Sequence, residues 1–315
     1  MTQRVLVTGA SGFVGRALTA HLVARGGCAV VATTRATPDS PVPGAQYLST
    51  SEVPWQTALA GVDVMVHAAA RVHVLNDDPV KSVAEFERVN VDLTLQLARQ
   101  AAAAGVRRFV FLSSIGVNGV KTEVGTAFSE NDQPQPHNPY AHSKLKAELG
   151  LRQIAEETGL EVVVIRPPLV YGPGVRANFA ALMRAVQRGW PLPLGAVHNL
   201  RSMVAIDNLI DFIATCMTQP RAGNQTFLVS DGHDVSSADL VRNLAQVMGV
   251  PARLVSVPVP LLWAAGKVFG NSDVIQRVCG SLRVDISKAR RLLEWTPSVS
   301  MDQGLRRAVA GMRKP

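Results

Sequence analysis

Arg4-Val5-Leu6-Val7-Thr8-Gly9-Ala10-Ser11-Gly12-Phe13-Val14-Gly15 is the stretch whose reading decides the fold. Its first five residues are an apolar run rich in β-branched side chains, the pattern of a strand buried in a parallel sheet. Gly9 ends the run, and residues 12–25 read as a helix. In a strand–turn–helix of this kind Gly9 permits the tight turn and Gly12 lets backbone approach a pyrophosphate. Gly15 lets the helix pack close to the strand. The helix start adds free N–H groups and a positive dipole end. The spacing is Gly-x-x-Gly-x-x-Gly, not the Gly-x-Gly-x-x-Gly of the commonest dinucleotide fold. Glycines alone are a weak signal; the strand before them and the helix after them give the pattern its weight.

The alternation continues along the chain. Strands are predicted at 4–8, 29–34, 62–67, 107–113 and 160–166, with a weaker one at 45–48, and helices at 12–25, 80–104 and 140–158. This order predicts an α/β fold with a doubly wound, Rossmann-type parallel sheet. Asn138-Pro139 is a strong helix start, Asn as N-cap and Pro at the first helical position, and Gly159 is a natural stop. Past about residue 170 the pattern shortens, with helices predicted at 176–189, 208–219 and 236–248 between short strands and Pro-rich turns. The expected division is 1–170 for a dinucleotide-binding domain and 171–315 for a smaller C-terminal substrate-binding lobe, the chain crossing back near 200–230.

Composition fits a packed globular protein. The 315 residues suffice for a large domain or a domain plus a lobe, and the hydrophobic share of 47% is ordinary. Cys28, Cys216 and Cys279 are scattered without a pairing or metal-like spacing, and the seven histidines are dispersed. This argues for a reducing, cytoplasmic setting and against zinc, another metal or a disulfide framework. The start runs directly into the first strand, so no signal peptide is expected. The net charge of +8 comes from residues spread along the chain, with no Lys/Arg block, so no nucleic-acid partner is expected. Residues 254–270 are apolar, but Pro258, Pro260 and Lys267 interrupt them and a spanning helix needs about 20 residues. They read as a strand, a turn and a core helix of the lobe, and no integral membrane segment is expected.

Tyr140 and Lys144 stand four residues apart, about one helical turn, and so share a face of the predicted helix. A free tyrosine, with a pKa of about 10, is a poor base at neutral pH. A nearby ammonium and an oxidised nicotinamide both favour its phenolate.

With the glycine spacing, Tyr140-Ala141-His142-Ser143-Lys144 resembles the short-chain dehydrogenase/reductase superfamily. Length and further motifs narrow the resemblance to its extended branch, the NAD-dependent epimerase/dehydratase family acting on nucleotide sugars. His67-Ala68-Ala69-Ala70 matches the segment after the fourth strand, beside the cofactor. Phe111-Leu112-Ser113-Ser114 matches the strand end bearing the catalytic hydroxyl. Residues 166–174 match the segment passing the nicotinamide, 201–209 resemble the segment whose arginine approaches the substrate's diphosphate, and Glu294-Trp295-Thr296-Pro297 matches a C-terminal signature. The resemblance spans nearly the whole chain.

It implies that Tyr140, Lys144 and Ser114 are catalytic, with Ser113 in support. It implies cofactor contacts at Gly9, Ser11, Gly12, Phe13, Val14, Gly15, Thr34, Arg35, His67, Ala68, Ala69 and Pro167, and from Tyr140 and Lys144. Substrate contacts fall to Ser114, Asn178 and Arg201, with Arg277 or Arg283 adding charge. Asn90 matches a helix near the active site, and a buried structural amide is as good a reading. A homodimer through the two long helices of the first domain is implied.

Cofactor choice reads from strand two, where NAD enzymes usually place Asp or Glu. Here Thr34 holds that place and Arg35 follows, so no carboxylate repels a 2′-phosphate and Arg35 can pair with one. Arg16, after the third glycine, is placed to help. The expectation is NADP in preference to NAD. Residues 167–178, 191–195 and 201–208 resemble surface-polysaccharide enzymes working at C4 of UDP-N-acetylhexosamines. The leading expectation is therefore reduction of a UDP-4-keto-6-deoxy-N-acetylhexosamine, and the alternative is a UDP-glucose or UDP-N-acetylglucosamine 4-epimerase with bound NAD. Ile115-Gly116 stands where the family's dehydratases carry Asp-Glu, which argues against elimination. A steroid- or flavonoid-type reductase would share the motifs. A catalytically idle dinucleotide-binding scaffold is disfavoured by the intact Tyr140, Lys144 and Ser114.

Overall fold

A seven-stranded sheet with the order β3-β2-β1-β4-β5-β6-β9, every pair parallel, organises the protein. The structure, a computed structural model, describes residues 2–36, 38, 40–72 and 79–312, with backbone only at 79–81. Its first elements are β1 (Gln3–Thr8), α1 (Phe13–Arg25), β2 (Cys28–Thr34), β3 (Gln46–Ser49), α2 (Trp55–Leu59) and β4 (Val64–His67). α3 (Pro79–Phe86), a π-helical turn at Glu87–Asp92 and α4 (Leu93–Ala103) lead to β5 (Arg108–Leu112), and α5 (Pro139–Thr158) leads to β6 (Glu161–Arg166). The chain then passes through β7 (Leu169–Tyr171), α6 (Ala177–Gln187) and β8 (Arg201–Ala205), and α7 (Ile206–Thr218) returns it to β9 (Thr226–Leu228). β10 (Asp234–Val235), α8 (Ser237–Met248), α9 (Val259–Val268), α10 (Ser272–Cys279), α11 (Ser287–Leu293) and α12 (Met301–Ala310) follow. β10, β8 and β7 form a second, three-stranded sheet.

Period-two alternation explains why the sheet is covered on both faces. Val5, Val7, Val64, Val66, Val110, Val163 and Ile165 point to one side, into a cluster shared with Leu18 and Leu22 of α1 and Leu209 and Ile213 of α7. Leu6, Met65, Phe109, Phe111, Val162 and Val164 point to the other, against Leu97 and Ala101 of α4 and Ala147, Leu151 and Ile154 of α5. A third cluster, around Tyr171, Phe179, Met203, Val241 and Leu305, is the core of the lobe. The return to the sheet is pinned by fully buried Arg108, which donates at 2.8 Å to the carbonyls of both Cys216 and Gln219 at the end of α7.

The α/β, doubly wound sheet agrees with the sequence reading, and each predicted first-domain strand lies within two residues of its place. The helix predicted over 80–104 does not run through. It widens into the π-helical turn at Glu87–Asp92, which carries Asn90 to the protein interior (1% exposed). Residues 254–270 also differ from expectation. They do form a helix, α9, but only Leu262 and Gly266 on it are buried, so it is no core helix. Among the described residues no helix is long and apolar enough to cross a membrane.

Candidate active site

The sheet order reverses between β1 and β4, and the crevice beyond the carboxyl ends of those strands is where an open α/β sheet takes a ligand. Gly9 turns the chain there with φ +68°, and a Cβ on it would lie 2.7 Å from the Ala69 amide nitrogen. A Cβ on Gly15 would overlap the Gly9 carbonyl. The Gly12 amide closes the turn on Gly9 O at 2.8 Å, and no side chain caps α1. Its first amides are thus available to an anion. Ser11, Gly12 and Phe13 line a cavity of about 850 Å³ with Arg16, Arg176 and Arg184. The loop that only glycine can build, the free helix start and the three cations fit a dinucleotide's phosphates.

His67 ties this loop to the helices behind it. Thr94 Oγ1 donates to Asn90 O at 2.8 Å, so its bond to His67 Nε2 at 3.0 Å must be accepted from the ring. Nδ1 is then the acceptor for Thr8 Oγ1 at 2.8 Å, and Thr8 Oγ1 accepts in turn from the Ala69 amide at 3.3 Å. Burial, with Lys144 nearby, lowers the imidazole from 6.5 to about 3, so the ring is neutral. Asn90 clamps Arg71, receiving its amide at 2.8 Å and donating to its carbonyl at 3.1 Å. It also donates to Ser143 Oγ at 2.9 Å, which fixes the loop after β4 against α5. The structural-amide reading of Asn90 is the one this geometry supports.

Tyr140, Lys144 and Glu148 follow each other at helical spacing on α5, which starts where the Asn138 side chain accepts from the Ala141 amide at 2.8 Å. Lys144 is 1% exposed; its Nζ donates to Leu112 O at 2.8 Å and lies 6.0 Å from the centre of the Tyr140 ring. Burial lowers the ammonium from 10.5 to about 7, with the Glu148 carboxylate opposing. Burial raises the Tyr140 phenol from 10.0 to about 12, so without an added positive charge it is a proton donor.

Ser113 and Ser114 are distinguished by what their protons do. Ser113 Oγ donates to Glu148 Oε1, and Glu148 is held through both oxygens by Arg166, whose Nη1 reaches Asn118 Oδ1 at 2.9 Å. Ser114 Oγ accepts from the Gly116 amide at 3.1 Å, and among the described residues its own proton has no acceptor. Buried Pro167 steadies this end of β5, its carbonyl accepting from the Ile115 amide at 3.0 Å. Sequence reading missed the Glu148–Arg166 pair. Its signal was a glutamate one turn past Lys144 on the helix face that also carries Ala147, Leu151 and Ile154.

The outer positions are more dispersed. Thr34 is buried, and its hydroxyl has no partner among the described residues; Arg35 is exposed. Arg16 lines the cavity beside α6, in which neither Thr34 nor Arg35 takes part. Asn178 is exposed in the first turn of α6. Arg201 donates to Gly280 O at 3.0 Å, and burial with the neighbouring Arg277 cation lowers its guanidinium below the ordinary value. Arg283 pairs with Asp234 at 2.7 Å, so Arg277 is the cation that approaches Arg201. Two half-paired arginines side by side favour an anion between them.

Residues 5–230 match the model of the NAD dependent epimerase/dehydratase family. The chain is 42% identical to a UDP-glucose 4-epimerase of Vibrio cholerae over 309 residues, 97% of this chain and 94% of that protein. Its fold is that of the Bacillus cereus UDP-glucuronic acid 4-epimerase solved with NAD (TM-score 0.79, 22% identity, 98% of this chain and 96% of that one). It is also that of MoeE5 solved with UDP-glucose and NAD (TM-score 0.78, 26% identity, 98% of both chains).

Proposed function

We propose that this chain, which belongs to the NAD dependent epimerase/dehydratase family, is an enzyme that inverts C4 of a UDP-hexose with a nicotinamide dinucleotide kept bound. The observation that carries the reading is the 42% identity, over nearly the full length of both chains, to a UDP-glucose 4-epimerase. It favours epimerisation over the reduction expected from strand two, because Thr34 and Arg35 bear only on how a 2′-phosphate would be received.

Gly9, Ser11, Gly12, Phe13, Val14 and Gly15 would hold the pyrophosphate, with Ala68, Ala69 and Pro167 walling the cofactor groove and buried His67 fixing the loop from behind. When bound, the nicotinamide supplies an acceptor and donor of hydride. The chain's own residues do the rest. Arg201 and Arg277 would grip the substrate's diphosphate and Asn178 would close over it. Ser114 would donate its uncommitted proton to the oxygen on C4. Tyr140 would exchange a proton with that same oxygen, taking it as the carbonyl forms and returning it as the alcohol is restored. Lys144, already turned beneath the tyrosine, would favour the phenolate and bond the ribose. A proton donor and acceptor that acts on one oxygen in both directions suits a reaction that begins and ends as an alcohol.

A second reading keeps one observation in its favour. Exposed Arg35 pairs with no carboxylate among the described residues, which favours NADP and with it a 4-keto reductase. Two copies are further proposed to pair through α4 and α5, where Leu149 is 54% exposed. Incubation with UDP-glucose, with UDP-N-acetylglucosamine and, separately, with a UDP-4-keto-6-deoxy-N-acetylhexosamine and NADPH, read by proton NMR of the sugar, tests the two readings. Appearance of the C4 epimer supports the first; unchanged sugars, with consumption of a 4-keto sugar instead, would replace it with the second.

A further inference from the structure

One wall of the cavity of about 850 Å³ at the glycine loop does not belong to the sheet that carries that loop. Phe13, Arg16 and Ala17, on one face of α1, form the first wall. Arg176, Ala180 and Arg184, on one face of α6, form another, and the end of α12 completes it. The walls are rooted in different cores: α1 through Leu18 and Leu22 in that of the sheet, α6 and α12 through Phe179, Met183 and Leu305 in that of the lobe. The lobe's wall is firmly set. α12 packs on the turn before α6 so closely that a Cβ on Gly311 would lie 2.7 Å from Pro173 Cα.

The charge in this space is of one sign. Arg16, Arg176 and Arg184 line it, and among the described residues no aspartate or glutamate does. Nor does any described residue partner the three guanidiniums. The N-cap residues of both helices, Gly12 of α1 and Arg176 of α6, also lie on the cavity. Neither helix is capped by a side chain, and neither carries an acid in its first turn. Side chains of a helix lean toward its N-terminus, which brings Arg16 toward Gly12 and Arg184 toward Arg176. Two open helix starts and three cations around one space favour an anion that carries more than one charge.

We propose that Arg176 and Arg184 close on the diphosphate of the bound dinucleotide from the lobe, with Arg16 and the glycine loop on the other side, an assignment that rests on the proposed retention of a dinucleotide. The lobe is then part of the cofactor site as well as of the substrate site. The glycine loop offers the diphosphate backbone N–H groups, whereas the lobe's arginines add charge-assisted bonds that must break before the cofactor leaves. Release therefore requires the two walls to part. An epimerase returns its cofactor to the starting oxidation state in every turnover and needs no exchange. A dinucleotide gripped from both walls suits that reaction better than one that consumes a reduced cofactor each time.

The test is the affinity of the full chain for NADH and the rate of its release, followed by NADH fluorescence on mixing with excess NAD. Arg176→Ala and Arg184→Ala should each weaken binding by about tenfold, the scale of one bond to a charged group, chiefly through faster release. Arg184→Lys should recover part of the loss. The melting temperature of the cofactor-free variants should not move, because both side chains are exposed and unpaired among the described residues. Arg188→Ala, on the same helix end but outside the cavity and stacked on Trp190, should bind NADH as the unaltered protein does, which separates a contact from a loss of net charge. UDP affinity should stay the same in every variant. Alanine variants that hold NADH as firmly as the unaltered protein would overturn the proposal, as would equal weakening in Arg188→Ala. Loss of UDP affinity with NADH binding intact would assign the arginines to the substrate and also overturn it. A chain that binds no dinucleotide would remove this grip and the proposed reaction together. Release that quickens as expected, in a chain that inverts no UDP-hexose, would remove the reaction alone.

Discussion

Ser113 Oγ donates its single proton to Glu148 Oε1, while Ser114, the next residue, keeps its own proton uncommitted among the described residues. The pair divides the work of the strand end. Ser114→Ala should lower kcat about a hundredfold, the scale of losing one donor to a reacting oxygen, with little change in melting temperature. Ser113→Ala should do the reverse, costing about 1–3 kcal/mol of stability by loosening a buried bond to a charge, with a small effect on kcat. Steady-state rates and thermal melts of both variants check this, and interchanged phenotypes would reassign the catalytic hydroxyl.

Glu148 and Arg166 are 0% and 2% exposed and joined through two parallel bonds beneath α5. Glu148→Ala leaves a buried guanidinium without its counter-charge and should destabilise by about 3–5 kcal/mol. Glu148→Leu combined with Arg166→Met should recover a large part, since apolar replacement of both partners removes the stranded charge. Urea titration of the two variants measures the difference; a double variant less stable than the single would show that the pair contributes more than mutual neutralisation.

His67 gives stability an acid limit. In the unfolded chain it takes up a proton near 6.5, in the folded one only near about 3. Its contribution is therefore complete above pH 6.5 and declines as pH falls toward 3, by at most about 1.4 kcal/mol per unit. His67→Gln should flatten the pH dependence of unfolding free energy across that window. Equal slopes in the two proteins would mean that other groups govern acid unfolding.

Tyr140→Phe should abolish turnover by a factor of about a thousand or more while dinucleotide binding persists, because the ring keeps its packing against Phe86. The phenol, raised to about 12 in the free chain, should titrate at lower pH once an oxidised nicotinamide adds positive charge. Ultraviolet difference titration with and without NAD reads that shift, and an unmoved phenol would remove Tyr140 from the cofactor's reach.

The first domain was legible because its signals are local. A β-branched run ending in glycines defines β1 and α1, and an Asn–Pro start with a glycine stop defines α5. What escaped depends on tertiary contact. The π-helical turn exists to carry Asn90 to Arg71 and Ser143, partners that periodicity cannot name. β9 and β10, of 3 and 2 residues, are too short for a pattern and are strands only because neighbours pair with them. The apolar spacing of α9 reads as a core face because sequence does not say which side meets solvent. At the site, Tyr140, Lys144 and Ser114 stood out by motif, whereas the commitment of Ser113 to Glu148 is visible only once α5 lies over β5. The expected reductase rested on the acid missing from β2, a feature of the cofactor's far end that says little about C4.

The most direct measurement is cofactor stoichiometry during turnover, followed by nicotinamide absorbance as the purified chain acts on UDP-glucose and, in parallel, on a UDP-4-keto-6-deoxy-N-acetylhexosamine with NADPH. The account predicts inversion at C4 with no net change in oxidised or reduced cofactor. Consumption of one reduced cofactor per 4-keto sugar, with no inversion of UDP-glucose, would contradict it and establish the reductase instead.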